Sequence, residues 1–314
     1  MPYILRRLLG LVASLFLISL LTFIIVQLMP GDPAMLILGN DASPELLANT
    51  RHQLGLDRPL PVQYVSWLAG AVHGDLGMSL RHHLPVAQLI AERLPVTVSL
   101  AGLSLLLALA VALPLGVLAA VKQESGLDLA ILVLSQVGVA LPAFWIGILL
   151  ILLLAVQVRL FPTGGFVPWG RGPLEALRSL ALPSIALSLP LTAVLVRLVR
   201  GAMLDELGKD HIRTARAKGL PERTVLMRHA LRGALVPTVT MVGLQLGFLL
   251  GGSIVIEQVF ALPGLGRLVI SAIFNRDLPL IMGAVTFIAA LVVAVNLAVD
   301  LLYGVLDPRI SVFK

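Results

Sequence analysis

At 314 residues, with 58% hydrophobic side chains, 13% charged ones and a mean hydropathy of +0.98, the chain carries more apolar surface than one core can hide, which excludes a soluble fold. It has no cysteine, so disulfides, thiolate metal sites, iron–sulfur clusters and cysteine nucleophiles are excluded together, while the redox compartment stays open. A net charge of +6 and a pI near 10.3 raise nucleic acid as a partner, a reading that depends on where the basic residues fall.

Six uncharged runs follow along the chain, 8–31, 94–121, 129–158, 179–196, 233–256 and 278–299, together 146 residues. Crossing about 30 Å of hydrocarbon takes roughly 20 apolar residues in a helix, because bare backbone cannot cross lipid unpaired. The pattern predicts an all-α integral membrane protein with six transmembrane helices. The first run follows Arg6 and Arg7 as a signal peptide would, but it is longer than a secretory apolar core and lacks a small-residue cleavage site, so an uncleaved span is expected. The fourth run is short and holds Pro183 and Pro190; it reaches span length by borrowing 197–199 if Arg197 snorkels.

Placing both termini in the cytoplasm puts 14 of the 23 lysines and arginines inside and nine outside, the latter spread over longer loops, which sets the expected orientation. The expected division is an N-terminal span (1–29), an extracytoplasmic insertion (30–93), a five-span core (94–306) containing a cytoplasmic loop (201–232), and a cytoplasmic tail (307–314).

The insertion carries helix punctuation. Ser43, Pro44 and Glu45 read as N-cap, first helical position and first-turn acid, with Leu46, Leu47 and Leu54 as an apolar stripe closed by Gly55. A second short helix is expected from Pro61, presenting Val62, Val65, Ala69 and Val72, with Tyr64 and Trp67 at headgroup level. A third is expected from Pro85. This insertion is either a cap lying on the membrane or a docking platform for a partner protein. His73, His82 and His83 could ligate a divalent metal, but without an i, i+4 pair or a partner carboxylate they read as surface residues.

The loop 201–232 holds seven basic and four acidic residues on two helical segments broken at Gly219, Leu220 and Pro221, a helix-turn-helix elbow. In its second segment Met227, Leu231 and Leu235 line one face and Arg228 and Arg232 another, so this piece is expected to be amphipathic and to lie at a surface. It is either an ordinary basic loop or a lever against a soluble motor. DNA binding is disfavoured, because the loop is tied at both ends to spans and has no fold of its own.

No phosphate cradle of the GxxxxGK[ST] kind is present, nor HExxH, GxSxG or paired intramembrane acids, so no enzyme and no cofactor are expected. The spans hold Gln27, Gln136, Gln157, Gln245 and Asn296, with Glu257, Asp300 and Arg197 at span ends; that scarcity of ionisable groups disfavours ion-coupled transport and favours a pathway driven from outside the chain. Gln136, Gln245 and Asn296 are the candidate pathway-lining residues. Gly243, Gly247 and Gly251 recur at intervals of four and could pack another helix, within the chain or at a subunit seam.

Blocks of sequence then carry a resemblance. These are ILRRLLG (4–10), PGDP (30–33), LGLDRPLPVQY (54–64), GDLGMS (74–79), ERLP (92–95), RTARAKGL (213–220), RHALR (228–232), LLGGSIVIEQVFALPGLG (249–266), NRDLP (275–279) and DPR (307–309). In this order, end to end, the chain resembles the membrane permease subunits of bacterial ABC importers for dipeptides, oligopeptides and related ligands, including nickel chelates and glutathione. The general ABC-importer signature, Glu-Ala-Ala, three residues, Gly, nine residues, Ile-x-Leu-Pro, is matched here only at Ala215, Gly219 and Leu231, while Arg213, Thr214, His229 and Arg232 depart from it in the manner of the peptide branch.

The resemblance implies a type I importer permease in the bacterial cytoplasmic membrane. Its partners would be a second similar permease, two ATPases and an extracytoplasmic binding protein. It further implies that Arg213, Thr214, Ala215, Arg216, Ala217, Lys218, Gly219, Leu220 and Glu222, with Leu231, form the coupling region seated on an ATPase, whose closure on ATP swings the spans. Gly219 suits a left-handed helix stop. Short peptides are the expected cargo; a nickel-chelate or glutathione permease, and a non-conducting scaffold subunit, are the alternatives.

Overall fold

The computed structural model describes residues 2–28, 33–38, 43–53 and 55–306; Met1, the segments 29–32 and 39–42, Leu54 and the tail 307–314 lie outside them. Among the described residues every regular element is helical. In chain order these are α1 (Pro2–Leu28), α2 (Pro33–Leu38), α3 (Pro44–Gln53), α4 (Leu60–Val72), α5 (Val86–Val121), α6 (Gly126–Ala140), α7 (Ala143–Leu150, continued by a π-helical stretch Ile151–Gln157), α8 (Pro173–Leu207), α9 (Asp210–Ala217), α10 (Glu222–Thr224, continued by a π-helical turn Val225–Ala230), α11 (Leu231–Val259), α12 (Leu265–Phe274) and α13 (Leu278–Leu306).

Among the described residues five stretches are long and apolar enough to cross a membrane: Leu9–Leu28, Val86–Val121, Pro173–Leu207, Met241–Val259 and Leu278–Val299. The expected third span is instead two helices, α6 and α7, bent by 97°, and the count reaches six if that pair is one span. The break falls at Leu141–Pro142. Proline disfavours the helical conformation for the residue before it, and Leu141 is extended (φ −84°, ψ 126°). In α8 the opposite holds: Pro183 and Pro190 are absorbed within 35 continuous helical residues. The helix expected from Pro85 is likewise not separate; α5 begins at Val86 and continues for 36 residues to Val121.

The chain forms two compact units. The first comprises residues up to Val96 together with Pro263–Val293. Its core joins Val26, Val86, Leu89, Leu265, Leu280 and Ile281, so the end of α1, the start of α5, α12 and the start of α13 pack together. Within it Tyr64 of α4, expected among headgroups, is buried against α1: its hydroxyl shares a 2.8 Å hydrogen bond with Ser19 Oγ, and its ring lies 5.4 Å from that of Phe23. Val62, Val65 and Val72 remain 45%, 62% and 77% exposed, an apolar face suited to a membrane surface. Helix α3 is capped as expected, with Leu46 N–H donating to Ser43 Oγ (3.3 Å), and it ends in a left-handed Gly55.

The second unit comprises Thr97–Leu262 together with Ala294 onward. It is organised on α8, which packs against α6, α7 and α11. The bidentate pair of Arg200 with Asp128 (2.6 and 2.7 Å) ties the start of α6 to α8. Of the glycine row on α11, Gly243 is buried where a Cβ would run into the side chain of Val299 on α13, whereas Gly251 is exposed with nothing within 4 Å of a Cβ. Gly243→Val should therefore overpack the α11–α13 contact, costing about 1–3 kcal/mol and lowering the thermal midpoint of the purified protein, while Gly251→Ala should leave it unchanged. Equal midpoints for the two variants would contradict the intrachain contact.

Candidate functional site

The elbow between α8 and α11 has a buried base and a solvent face. Ile212 and Ala215 of α9 are fully or nearly fully buried, as are Val225, Ala230 and Ala234. They meet Ala120 of α5 and Val199 and Met203 of α8 in one apolar cluster, with Leu231 packed at its edge. Of the expected coupling residues, Ala215 and Leu231 thus anchor the elbow, while Arg213, Thr214, Arg216, Ala217, Lys218, Gly219, Leu220 and Glu222 are exposed. The structure divides the expected set into a buried foot and an exposed face.

The turn itself is a Schellman stop. Gly219 has φ +77°, its N–H donates to Arg216 O (2.9 Å), and Leu220 N–H donates to Ala215 O (3.4 Å). Pro221 precedes α10 in an extended conformation and ends any continuation of α9. Arg216 donates to both carboxylate oxygens of Glu222 across the turn (2.7 and 3.2 Å). That hydrogen bond holds the Glu222 carboxyl below the ordinary carboxylate range, against a smaller opposing effect of burial. The stability it lends is present above the unfolded carboxylate pKa and is lost as pH falls through the lowered folded value; being solvent-exposed, the pair contributes little.

Two features of the elbow were not foreseen. Glu206, nearly buried at the end of α8, pairs with Lys209 and with His211 Nε2 (3.2 Å), and its carboxylate lies where a Cβ on Gly233 would be. One carboxylate thus links α8, α9 and the start of α11. Second, the buried positions of the second segment are Val225, Ala230 and Ala234, whereas Met227 is 55% exposed. The expected face of Met227, Leu231 and Leu235 assumed α-helical spacing; the π-helical turn Val225–Ala230 inserts a residue and moves the buried face.

On the insertion, the GDLGMS and NRDLP blocks meet. Asp277, 1% exposed, accepts hydrogen bonds from Ser79 Oγ (2.5 Å), from the N–H groups of Leu80 and Arg81 (3.2 Å each) and from Leu280 N–H (3.3 Å). Arg81 Nη1 adds a 2.6 Å bond to Asn275 Oδ1. Asp277 thus caps α13, where its charge favours the helix N-terminus, and clamps the 79–81 loop. Its position just ahead of Leu278–Pro279 is an N-cap signal legible in the sequence. Its partner 198 residues away is not. His73 Nδ1 lies 2.8 Å from Ala69 O, the main-chain N–H of His82 donates to Ser79 Oγ, and no group of metal-ligating side chains occurs among the described residues.

Of the expected pathway residues, Gln136 is exposed and its Oε1 accepts from Arg197 Nη1 (3.0 Å), itself exposed on α8. Gln245 on α11 and Asn296 on α13 are half-buried.

A bundle of apolar helices carrying a packed, charged elbow and a clamped extramembrane loop is the build of a membrane permease component. The chain belongs to the binding-protein-dependent transport system inner membrane component family, whose model matches residues 112–312, with the model of the family's N-terminal segment matching 1–101. A peptide transport system permease protein of Brucella suis is 46% identical over 98% of both chains. A peptide ABC transporter permease protein of Sinorhizobium fredii is 41% identical over 98% of both. The dipeptide transport system permease protein of Escherichia coli K12 is 42% identical over 99% of this chain and 98% of that one. The protein is accordingly a multi-pass inner-membrane permease with the type I fold that works with other ABC subunits.

Proposed function

We propose that the chain is one of two permease subunits of an ATP-driven importer that carries di- or oligopeptides across the cytoplasmic membrane by alternating access. Two separate ATPases supply the energy, and an extracytoplasmic binding protein delivers the cargo. The observation that carries the mechanism is the elbow: an exposed face from Arg213 to Glu222 standing on a buried foot of Ile212, Ala215 and Val225, so that force on the face is passed to α8 and α11 rather than lost in a loose loop. The 30–93 insertion would be the docking platform, 94–306 the translocating core, and 307–314 a cytoplasmic tail. The peptide reading is supported by the names of the relatives. The exposed Arg197–Gln136 pair supports a wet pathway, since a charged group on a span normally faces a cavity or a partner rather than lipid.

Reconstitution with the partner ATPases, second permease and binding protein tests this reading. ATP-dependent accumulation of a radiolabelled dipeptide in proteoliposomes is expected. Uptake of a nickel chelate or glutathione instead would reassign the cargo, and assembly without any flux would make the chain a scaffold. Orientation has its own test, made simple by the absence of native cysteine. A membrane-impermeant maleimide added to intact spheroplasts should label Val72→Cys and spare Lys218→Cys; the reverse pattern would invert the topology.

A further inference from the structure

In the first unit a cavity of about 330 Å³ lies between α1, α4 and the start of α13. Its walls are mostly apolar, with Phe23 and Val26 from α1, Leu56, Trp67 from α4, and Met282 from α13. Phe23 and Val26 fall in the last turns of the span Leu9–Leu28, and Met282 in the first turns of the span Leu278–Val299, so the cavity sits at the depth where two spans leave the hydrocarbon. The neighbouring face of α4 shows Val62 and Val65 to the surroundings, as an interfacial helix does.

The rim carries the polar feature that marks what this space would hold. At the rim, Gly55 turns the chain with φ +66°, and Arg58 folds back so that its Nε lies 3.6 Å from where a Gly55 Cβ would stand. The rim is held in shape by Gln63, whose Nε2 donates to Arg58 O (2.8 Å) and Leu56 O (3.3 Å) while its Oε1 accepts from Gln27 (3.3 Å).

We propose that this cavity is a binding site for one anionic glycerophospholipid. An acyl chain would lie among Phe23, Val26, Leu56 and Met282, against the ring of Trp67, and the headgroup phosphate would lie beside Arg58. A lipid meets both demands at once: apolar volume open at interfacial depth and negative charge at the rim. Bound there, it would fasten α4 and the 55–58 turn to the ends of α1 and α13.

Tryptophan fluorescence tests this in the full chain. With Trp145→Phe and Trp169→Phe in place, Trp67 is the sole tryptophan. The chain is reconstituted in phosphatidylethanolamine vesicles doped with increasing mole fractions of phosphatidylglycerol brominated on its acyl chains. Quenching is expected to saturate at low mole fraction. Ser66→Phe, which fills the cavity from an exposed position on its wall, should abolish the saturating phase. Arg58→Gln should raise the half-quenching fraction about fivefold, the worth of one basic residue at an anionic surface. Quenching that rises in proportion to mole fraction and is the same in all three proteins would overturn the proposal. So would saturation by brominated phosphatidylcholine at the same fraction, since the site would then not select anionic lipid. Arg58, on the surface, keeps the test decisive should Ser66→Phe misfold.

Discussion

Gly219→Val is expected to leave the importer assembled and hydrolysing ATP while ligand uptake falls towards background. The reason lies in the backbone alone. A Cβ at this position would meet nothing within 4 Å, so no clash is involved; the residue is left-handed, with φ +77°. That conformation costs an ordinary L-residue about 1–2 kcal/mol and more for a β-branched one, which favours a helical or extended residue in its place. Either choice breaks the Leu220 N–H to Ala215 O closure and redirects Leu220 and Pro221, so the exposed face of α9 no longer points where its buried foot holds it. Each 1.4 kcal/mol shifts the population of the correct turn tenfold. Gly219→Asn, which tolerates the left-handed region, should stay close to wild type, and Gly219→Ala should fall between. Uptake and ATP hydrolysis measured side by side in proteoliposomes decide the matter: full uptake by the valine variant would refute the coupling role given to the elbow.

Asp277→Ala should have the second large effect, at the clamped 79–81 loop. The carboxylate is buried and serves four donors from two distant stretches of chain. Its removal leaves the Ser79 hydroxyl and the N–H groups of Leu80, Arg81 and Leu280 without that acceptor, which should weaken local closure by about 3 kcal/mol, or roughly a hundredfold in the open population. Arg81 lies in the released loop and supplies its own reporter, since trypsin cleaves after it only when the loop opens. Cleavage at Arg81 should accelerate by about that factor, while the elbow at Arg213 to Lys218 keeps wild-type protection. Loss of uptake with undisturbed ATPase activity would follow if the loop helps receive the binding protein. An unchanged cleavage rate would show that the clamp contributes nothing to loop order.

What could be read from the sequence was whatever depends on near neighbours in the chain. The apolar runs gave the spans, Ser43–Pro44–Glu45 gave the start of α3, and the Gly219–Leu220–Pro221 string gave the elbow and its left-handed turn. Three things were hidden for specific reasons. The break at Leu141–Pro142 looks, residue by residue, like Pro183 and Pro190, which α8 absorbs; packing decides which proline bends a helix. Tyr64 has the composition of an interfacial residue, and only the nearness of Ser19 and Phe23 draws it inward. Asp277 and Ser79 each have a local reading, cap and turn, but their meeting is a property of the fold.

The π-helical turn Val225–Ala230 implies a constraint on register that substitution experiments would not detect. It holds one extra residue between flanks that keep the facing they would have in an uninterrupted α-helix, so removing one residue from within it should let the hydrogen bonds settle into α-helix with both flanks left in place. If the turn instead reverted to α-helix at unchanged length, everything before it would be rotated by about 100° around the helix axis relative to everything after it. Val225 would then leave the cluster it forms with Val199 and Met203, and the basic face of the elbow would turn away with it. In this segment the extra residue acts as a gear setting between the exposed face of the elbow and the long helix that follows.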